Sequence, residues 1–496
     1  MKLDYKKTIF VGFAFFLISA FWQAYDAIIP LILTNHYGLP HSVSGVVMSV
    51  DNVLAVFLLP VFGAISDKVM TRLGKRTPFI IVGTVAAILA FVSLTLVDNY
   101  QLGILRDSGL IELYDSTKAL ETSTYQALAD AEAAGNTALI ESLRATIAEC
   151  SSVYDGIKEE ALEIVLSNVW PLVGFIGVLL LVLVSMATFR SPAVALMPDV
   201  TVRPLRSKGN AIINLMGTAG GILVLVFGMI FKTSANAYMQ YTGYVLAVVG
   251  IMAAGLTVFL LKVRENKWVG EMEEETKRLA LTEATPTVEN SGKKLSGAEL
   301  RSLLLILASV ALWYVGYNSI TSKYTVYSTD ILGFDFNGTL IIAQAAAVIS
   351  YIPVGIIASK LGRRKTILAG IIMLASAFFI GTFITPTTPE LVMAPIFILA
   401  GMGWATINVN SFPMVVELAR GGDVGKYTGY YYTASMSAQI VAPILSGVLY
   451  DLIGMDKVFF PFGTVFVILS FVTMFFVRHG DSIPTAKEVR ESMGDD

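Results

Sequence analysis

The chain has 496 residues, of which 55% are hydrophobic and 15% charged, whereas soluble domains carry roughly 25% charged residues. A mean hydropathy of +0.69 places most of it in lipid. The net charge of −3 supplies no basic field for nucleic acid, and the single cysteine, Cys150, excludes an internal disulfide framework.

Twelve apolar runs approach the roughly 20 residues that a membrane helix needs. They lie near 8–34, 43–66, 77–97, 167–190, 206–231, 239–262, 301–326, 339–359, 366–386, 391–414, 427–450 and 456–477. The first is too long for the apolar core of a signal peptide and lacks a small-residue cleavage pattern, so it is expected to remain as helix 1. With the N-terminus inside, the inner segments hold 28 of the 35 basic residues and the outer segments six, with Lys323 left inside a span. The asymmetry predicts cytoplasmic N- and C-termini. The expected fold is an all-α membrane protein of twelve transmembrane helices in two pseudo-symmetric six-helix bundles. The first bundle is 1–263, with an extracytoplasmic insertion at 98–166. A cytoplasmic linker at 264–300 leads to the second bundle at 301–478 and a tail at 479–496.

In chain order, helix 1 reads "FWQAYDAII" and sets Trp22, Tyr25, Asp26 and Ile29 on one stripe, with Gln23 beside them. Helix 2 opens near Asp51. A charge at membrane depth costs at least roughly 2.5–3.5 kcal/mol, so such a residue faces a cavity, titrates or is paired. Asp51 has a second reading, as a cap of helix 2 close to the outer surface. At the foot of helix 2, "GAISDKVMTRLGKRTPF" gathers Gly63, Asp67, Lys68, Arg72, Gly74, Lys75 and Arg76. Gly63 lets helices approach, Gly74 supports a tight turn, and Asp67 can pair with Arg72 or Arg76 or cap a helix. Pairs that form in one conformation and break in another make a latch; the plain alternative is a positive-inside anchor.

The insertion is rich in Ala, Glu and Leu and predicts a solvated helical hairpin broken at Gly135-Asn136. Helix 4 ends on Arg190. The linker, from "RENKWVGEMEEETKRLA" through "TEATPTVENSGKK", predicts a short amphipathic helix and a tether. Helix 7, "WYVGYNSITSKYTVY", repeats the pattern of helix 1 with Trp313, Tyr317, Asn318, Lys323 and Tyr324. Asn408 of helix 10 is a further polar candidate. For Asn214, Gln344 and Gln439 the favoured reading is interhelical hydrogen bonding.

The halves echo one another. "GIIASKLGRRKTILAG" (355–370) matches the helix 2–3 turn and places Gly362, Arg363 and Arg364 in the second latch. "ALMPDVTVRPLRSKGNAI" and "FPMVVELARGGDVGKYTGY" each carry an acid (Asp199, Glu417), then bases, then a Gly opening a span. Two related halves suit a transporter with a mid-membrane site between them.

The loop after helix 2 resembles the loop 2–3 signature of the major facilitator superfamily, in the longer form found in glycoside–pentoside–hexuronide cation symporters and sucrose carriers. "RSPAVALMPDVTVRPLRSKGNAIINLMGTAGG" (190–221) and "LWYVGYNSITSKYTVYSTDILG" (312–333) resemble the same branch. The resemblance implies two bundles rocking about a central cavity and a substrate moved with a proton or sodium ion. The chain departs from that pattern at Ser359, where the superfamily loop usually has Asp. It departs again at Leu183 and Val194, where plant sucrose carriers have Asp and Arg, and at Ala55 and Leu59, where melibiose-type carriers have acids.

A sugar needs donors and acceptors for its hydroxyls and a ring face for its C–H surface. Trp22, Gln23, Tyr25, Asp26, Trp313, Tyr317, Asn318, Lys323 and Asn408 are the expected substrate residues. Desolvation favours the protonated form of a carboxyl and a nearby cation the ionised form. A carboxyl alternating between the two takes up a proton on one side and releases it on the other. Asp26 is the first candidate and Asp51 the second, with Arg190 or Lys323 competing with the proton. The expected partners are a sugar or glycoside, a coupling ion (a proton before sodium) and the plasma-membrane bilayer. The chain is expected to be monomeric, with no nucleic acid, metal or cofactor. No G-x-x-x-x-G-K-[ST] supports an ATP-driven pump, and no H-E-x-x-H or G-x-S-x-G a membrane enzyme. The rivals are an exporter of amphiphiles on the same fold, and a receptor, for which the linker is too short.

Overall fold

A computed structural model describes residues 3–202, 205–278, 296–418 and 424–479. It is all-helical: α1 (Tyr5–Leu31), α2 (His41–Lys68), α3 (Thr77–Asp107), α4 (Leu110–Ala134), α5 (Thr137–Ser167), α6 (Trp170–Val200), α7 (Arg206–Phe231), α8 (Thr242–Lys262), α9 (Glu265–Arg278), α10 (Gly297–Thr321), α11 (Tyr324–Val326), α12 (Phe336–Leu361), α13 (Arg363–Gly381), α14 (Met393–Val416), α15 (Val424–Ile453) and α16 (Met455–Phe475). Among the described residues, eleven helices are long and apolar enough to cross a membrane. The run expected at 339–359 falls in α12, of which Phe336–Tyr351 forms a shorter apolar stretch.

The packing has an internal two-fold pattern. In the first half α1 lies on α7 and α8, α6 on α2 and α3, and α3 on α8. In the second half α10 lies on α15 and α16, α14 on α12 and α13, and α13 on α16. The halves meet along α2 against α15 and α7 against α12, which are again equivalent pairs. At one end of the bundle the start of α1 meets α9 through Lys7 and Glu271, and His479, after α16, meets Ser302 near the start of α10. We term this the terminal end, and the opposite one the insertion end.

Helix 7 differs from the single run the sequence suggests. α10 stops at Thr321, Ser322 and Lys323 interrupt it, and α11 continues into a widened π turn, Tyr327–Leu332. Helix 1 also ends in a π turn, Ile32–His36. The insertion is a hairpin of α4 and α5, with Gly135 closing one helix and the Asn136 side chain capping the next. Its first ten residues prolong α3. The charged linker begins with α9, as its amphipathic sequence suggests; 279–295 lie outside the described residues, as does the tail from 480.

Candidate functional site

A cavity of about 380 Å³ opens between α1 and the second half. α1 contributes Gln23 and Asp26; α10, α11, α12 and α14 contribute Asn318, Thr325, Gln344 and Trp404 among others. Asp26 is solvent-accessible although it lies in the last third of a membrane-length helix, between the buried Tyr25 and Ala27. Gln344 Nε2 donates to Gln23 Oε1 at 2.5 Å, joining the two halves. Tyr317 stacks on Trp404, with centroids 6.1 Å apart and planes at 29°. Tyr351 meets the edge of Trp404 at 6.4 Å. The site therefore offers a carboxyl, three amides and a stacked aromatic wall in one chamber.

The structure brings a second group together behind Asp26. Asp51 lies within electrostatic reach of Asp26 and of Arg190, whose guanidinium sits over the Trp22 ring at 5.6 Å. Trp22 packs edge-on to Tyr25 at 5.3 Å. Trp22 Nε1 and Tyr25 Oη are buried without a protein hydrogen-bond partner among the described residues. Trp22, Tyr25, Trp313 and Asn408 are not walls of the cavity; Tyr25 and Trp313 are each 1% exposed. Asp51 sits ten residues into α2 and accepts from its neighbour Asn52 at 2.6 and 2.7 Å. The end of α2 is capped instead by Asp451 of α15, which accepts from the backbone N–H groups of His41 (2.7 Å) and Ser42 (2.8 Å).

Lys323 is also outside the cavity. It is fully buried at the insertion end, and Nζ donates to Ser44 Oγ across the halves at 2.5 Å. Asp451, Lys158 and Asp330 are its charged neighbours. Of the other amides, Asn214 donates to its own helix at Asn210 O and Gln439 to Ser435 O.

At the terminal end the loop after α2 is built around Arg76. Its guanidinium donates to Asp67 (2.5 Å), Asp199 (2.8 Å) and Ser66 Oγ (2.5 Å). Burial opposes its charge, but Asp199 and Asp67 outweigh burial and raise its pKa. Arg72 contributes a backbone carbonyl, which accepts from Asn266 at 3.0 Å. Gly63 faces Ser191 of α6. Gly74 has φ +125, and a Cβ there would lie 2.2 Å from Glu265. Lys75 donates its backbone N–H to Glu265 at 2.6 Å. In the second half Arg363 pairs with Glu417, the counterpart of Arg76 with Asp199, and Gly362 separates α12 from α13. Arg364 donates to Phe475 O and lies over the Phe475 ring at 5.9 Å.

Sequence reasoning missed Trp404, Glu265 and Asp451. Trp404 carried a usable signal: "GMGWATINVN" places an aromatic beside Asn408 in a span, the pattern used for helices 1 and 7.

The description "Major Facilitator Superfamily" belongs to the family model that matches residues 161–438 and 340–493. A second model, "MFS/sugar transport protein", matches residues 10–103. The "MFS-type transporter ppzB" of Metarhizium rileyi (strain RCEF 4871) is 32% identical over 114 residues, 23% of each chain. The "Uncharacterized MFS-type transporter C18.02" of Schizosaccharomyces pombe (strain 972) is 27% identical over 190 residues, 36% of this chain and 41% of that one. The chain thus matches less than half the length of these curated relatives. In fold it is similar to the inward open conformation of the xylose transporter XylE from E. coli, with a TM-score of 0.62, 12% identity and 99% of both chains covered. A POT family transporter in complex with 5-aminolevulinic acid gives a TM-score of 0.62 at 11% identity, covering 95% of this chain and 96% of that one.

Proposed function

This chain belongs to the Major Facilitator Superfamily, and from that premise we propose that it is a sugar or glycoside:proton symporter working by alternating access. It is a multi-pass membrane transporter for a small molecule. The finer reading places it in the plasma membrane as a monomer, with both termini cytoplasmic, in the glycoside–pentoside–hexuronide branch. The observation that carries the proposal is Asp26. A carboxyl open to a chamber between the halves, beside Gln23, Asn318, Gln344 and the Tyr317–Trp404 stack, meets the needs of a polyol and of a proton together. Support for a sugar also comes from the match of residues 10–103 to a sugar-transport family model.

In this reading Asp26 holds the proton, and Asp51 and Arg190, on α2 and α6 of the same half, form a second charged layer behind it that stays with Asp26 while the second half moves. The Arg76 and Arg363 clusters brace the terminal end of each half. The closed contacts at the insertion end define one state, and the Lys323–Ser44 and Asp451 contacts must part in the other. Substitution Asp26→Asn in proteoliposomes is expected to abolish substrate-driven alkalinisation while leaving energy-independent counterflow. Alkalinisation at the wild-type rate would remove Asp26 from proton coupling.

The other reading is an exporter of amphiphiles. The specific observation in its favour is the predominance of apolar walls, including Leu340, Ala343, Phe378 and Phe460.

A further inference from the structure

The cavity has two ends of different chemistry. Gln23 and Asp26 on α1, Asn318 on α10 and Gln344 on α12 form the polar end. The other end runs past the interruption at Ser322–Lys323 into the second half and is closed by Phe378 of α13, Ile396 and Phe397 of α14, and Phe460 of α16. α13 and α16 pack against other helices of their own half, so this end lies away from the seam between halves. The break, with Lys323 drawn off to Ser44, leaves Tyr324 to restart the helix with its ring against Phe397 at 4.8 Å and its hydroxyl bonded to Thr339 at 2.7 Å. Phe378 and Phe460 meet at 6.4 Å.

The deep end thus presents mainly aromatic rings and an isoleucine, with the hydroxyl side chains of Thr321, Tyr324 and Thr325 beside the break, and among the described residues no charged side chain lines the cavity except Asp26. A sugar ring alone satisfies the polar end; beside the break the deep end offers only the hydroxyls of Thr321, Tyr324 and Thr325, too few for a second sugar ring, whose other hydroxyls would lose water among the aromatic rings without recovering hydrogen bonds. We propose that the substrate is two-ended: a hydroxyl-bearing head held at Asp26, Gln23, Asn318 and Gln344, and a flat apolar substituent held among Phe378, Ile396, Phe397 and Phe460. This deepens the symporter reading and rests on it. It names the specificity residues as those on α13, α14 and α16, outside the stripes that helices 1 and 7 present.

The test uses the full chain in proteoliposomes and pairs of methyl and phenyl β-glycosides in the gluco, galacto and xylo configurations. Each buried methylene is worth about fourfold in affinity, so a phenyl group is expected to bind more than ~10-fold tighter than methyl in at least one configuration. Ile396→Trp, which fills the deep end, is expected to bring that ratio towards one. Phe397→Leu is the second variant should the larger side chain fail to fold, and it lowers the ratio in the same direction. Equal affinities of methyl and phenyl partners in the wild type would overturn the two-ended substrate and leave sugar transport standing. Phenol binding as tightly as the phenyl glycoside would overturn the head group's part. No binding of any glycoside to well-folded protein would overturn the sugar reading and this inference together.

Discussion

Glu265 is 2% exposed and accepts hydrogen bonds from the backbone N–H groups of Lys75, Arg76 and Thr77 and from Thr77 Oγ1, at 2.6–2.9 Å in its shortest contacts. The start of α3 leaves these N–H groups without helical partners, and the positive end of the helix favours an anion there. One carboxylate therefore fastens the linker helix α9 to the foot of the first half. Gly74 is required because a side chain at that place would meet the carboxylate and would have to adopt a left-handed backbone conformation. Replacing Glu265 by Ala leaves buried donors unpaired, at about 1–3 kcal/mol. Thermal unfolding in detergent, followed by circular dichroism, should show a clearly lower midpoint for Glu265→Ala and a smaller drop for Glu265→Gln. An alanine variant melting with the wild type would mean that water replaces the carboxylate at no cost. No reading of the local sequence could find this contact, because the acid and its donors are 188–190 residues apart. Asp67 with Arg76 was legible because the partners lie nine residues apart across one turn.

The insertion hairpin shows the same contrast at the level of elements. Its two helices and their junction follow from Ala- and Glu-rich periodicity interrupted by Gly135-Asn136. Its placement does not, because its contacts are made with distant segments. Leu110, Ile111, Tyr114, Ile157 and Ala161 form a small core with Leu102, Leu105, Ala237 and Tyr238. Lys158 pairs with Asp330 of the second half at 3.1 Å, and Asn35 donates to the same carboxylate at 3.3 Å. The hairpin thus reaches across the seam. Inside it, Tyr154 donates to Glu121 at 2.9 Å. Burial first, and then the Glu121 charge, push the Tyr154 phenol well above its ordinary value; Tyr114 is raised by burial and then by Asp330. A group whose pKa is raised on folding supports the fold fully below its unfolded pKa, near 10 for tyrosine, and loses that support as pH rises further. The hairpin should therefore loosen from about pH 10 upward. Proteolysis of the hairpin over pH 8–11 should reveal this, with Tyr154→Phe flattening the response. A Phe variant with the wild-type pH profile would show that another group controls the loosening. The interruption of helix 7 was hidden for a different reason: neither Pro nor Gly marks Ser322-Lys323, and the apolar run reads as continuous. What breaks the helix is the burial of Lys323 against the other half, a tertiary effect.

For the molecule as a whole, the repeat was readable in the latch loops, and the equivalent packing of the two halves is its three-dimensional form. The contact that closes the insertion end is between α2 and α15, where backbone meets backbone. A Cβ on Gly45 would lie 2.1 Å from Pro443 O, and one on Gly447 2.5 Å from His41 O. Alanine is favoured over glycine within a helix by about 1 kcal/mol, so any loss of closure must come from this contact and not from weakened helices. Gly45→Ala and Gly447→Ala should force the two helices apart and raise the population open at the insertion end. The check is labelling of a cysteine introduced by Ala347→Cys, in the cavity wall, on a Cys150→Ser background, with a membrane-impermeant maleimide applied from the insertion-end side. Labelling is expected to rise several-fold in both glycine variants, and transport to slow because one state is disfavoured. If folded protein with either alanine labels no faster than its parent, the α2–α15 contact does not gate the chamber, and rocking of matched halves about Asp26 loses its hinge.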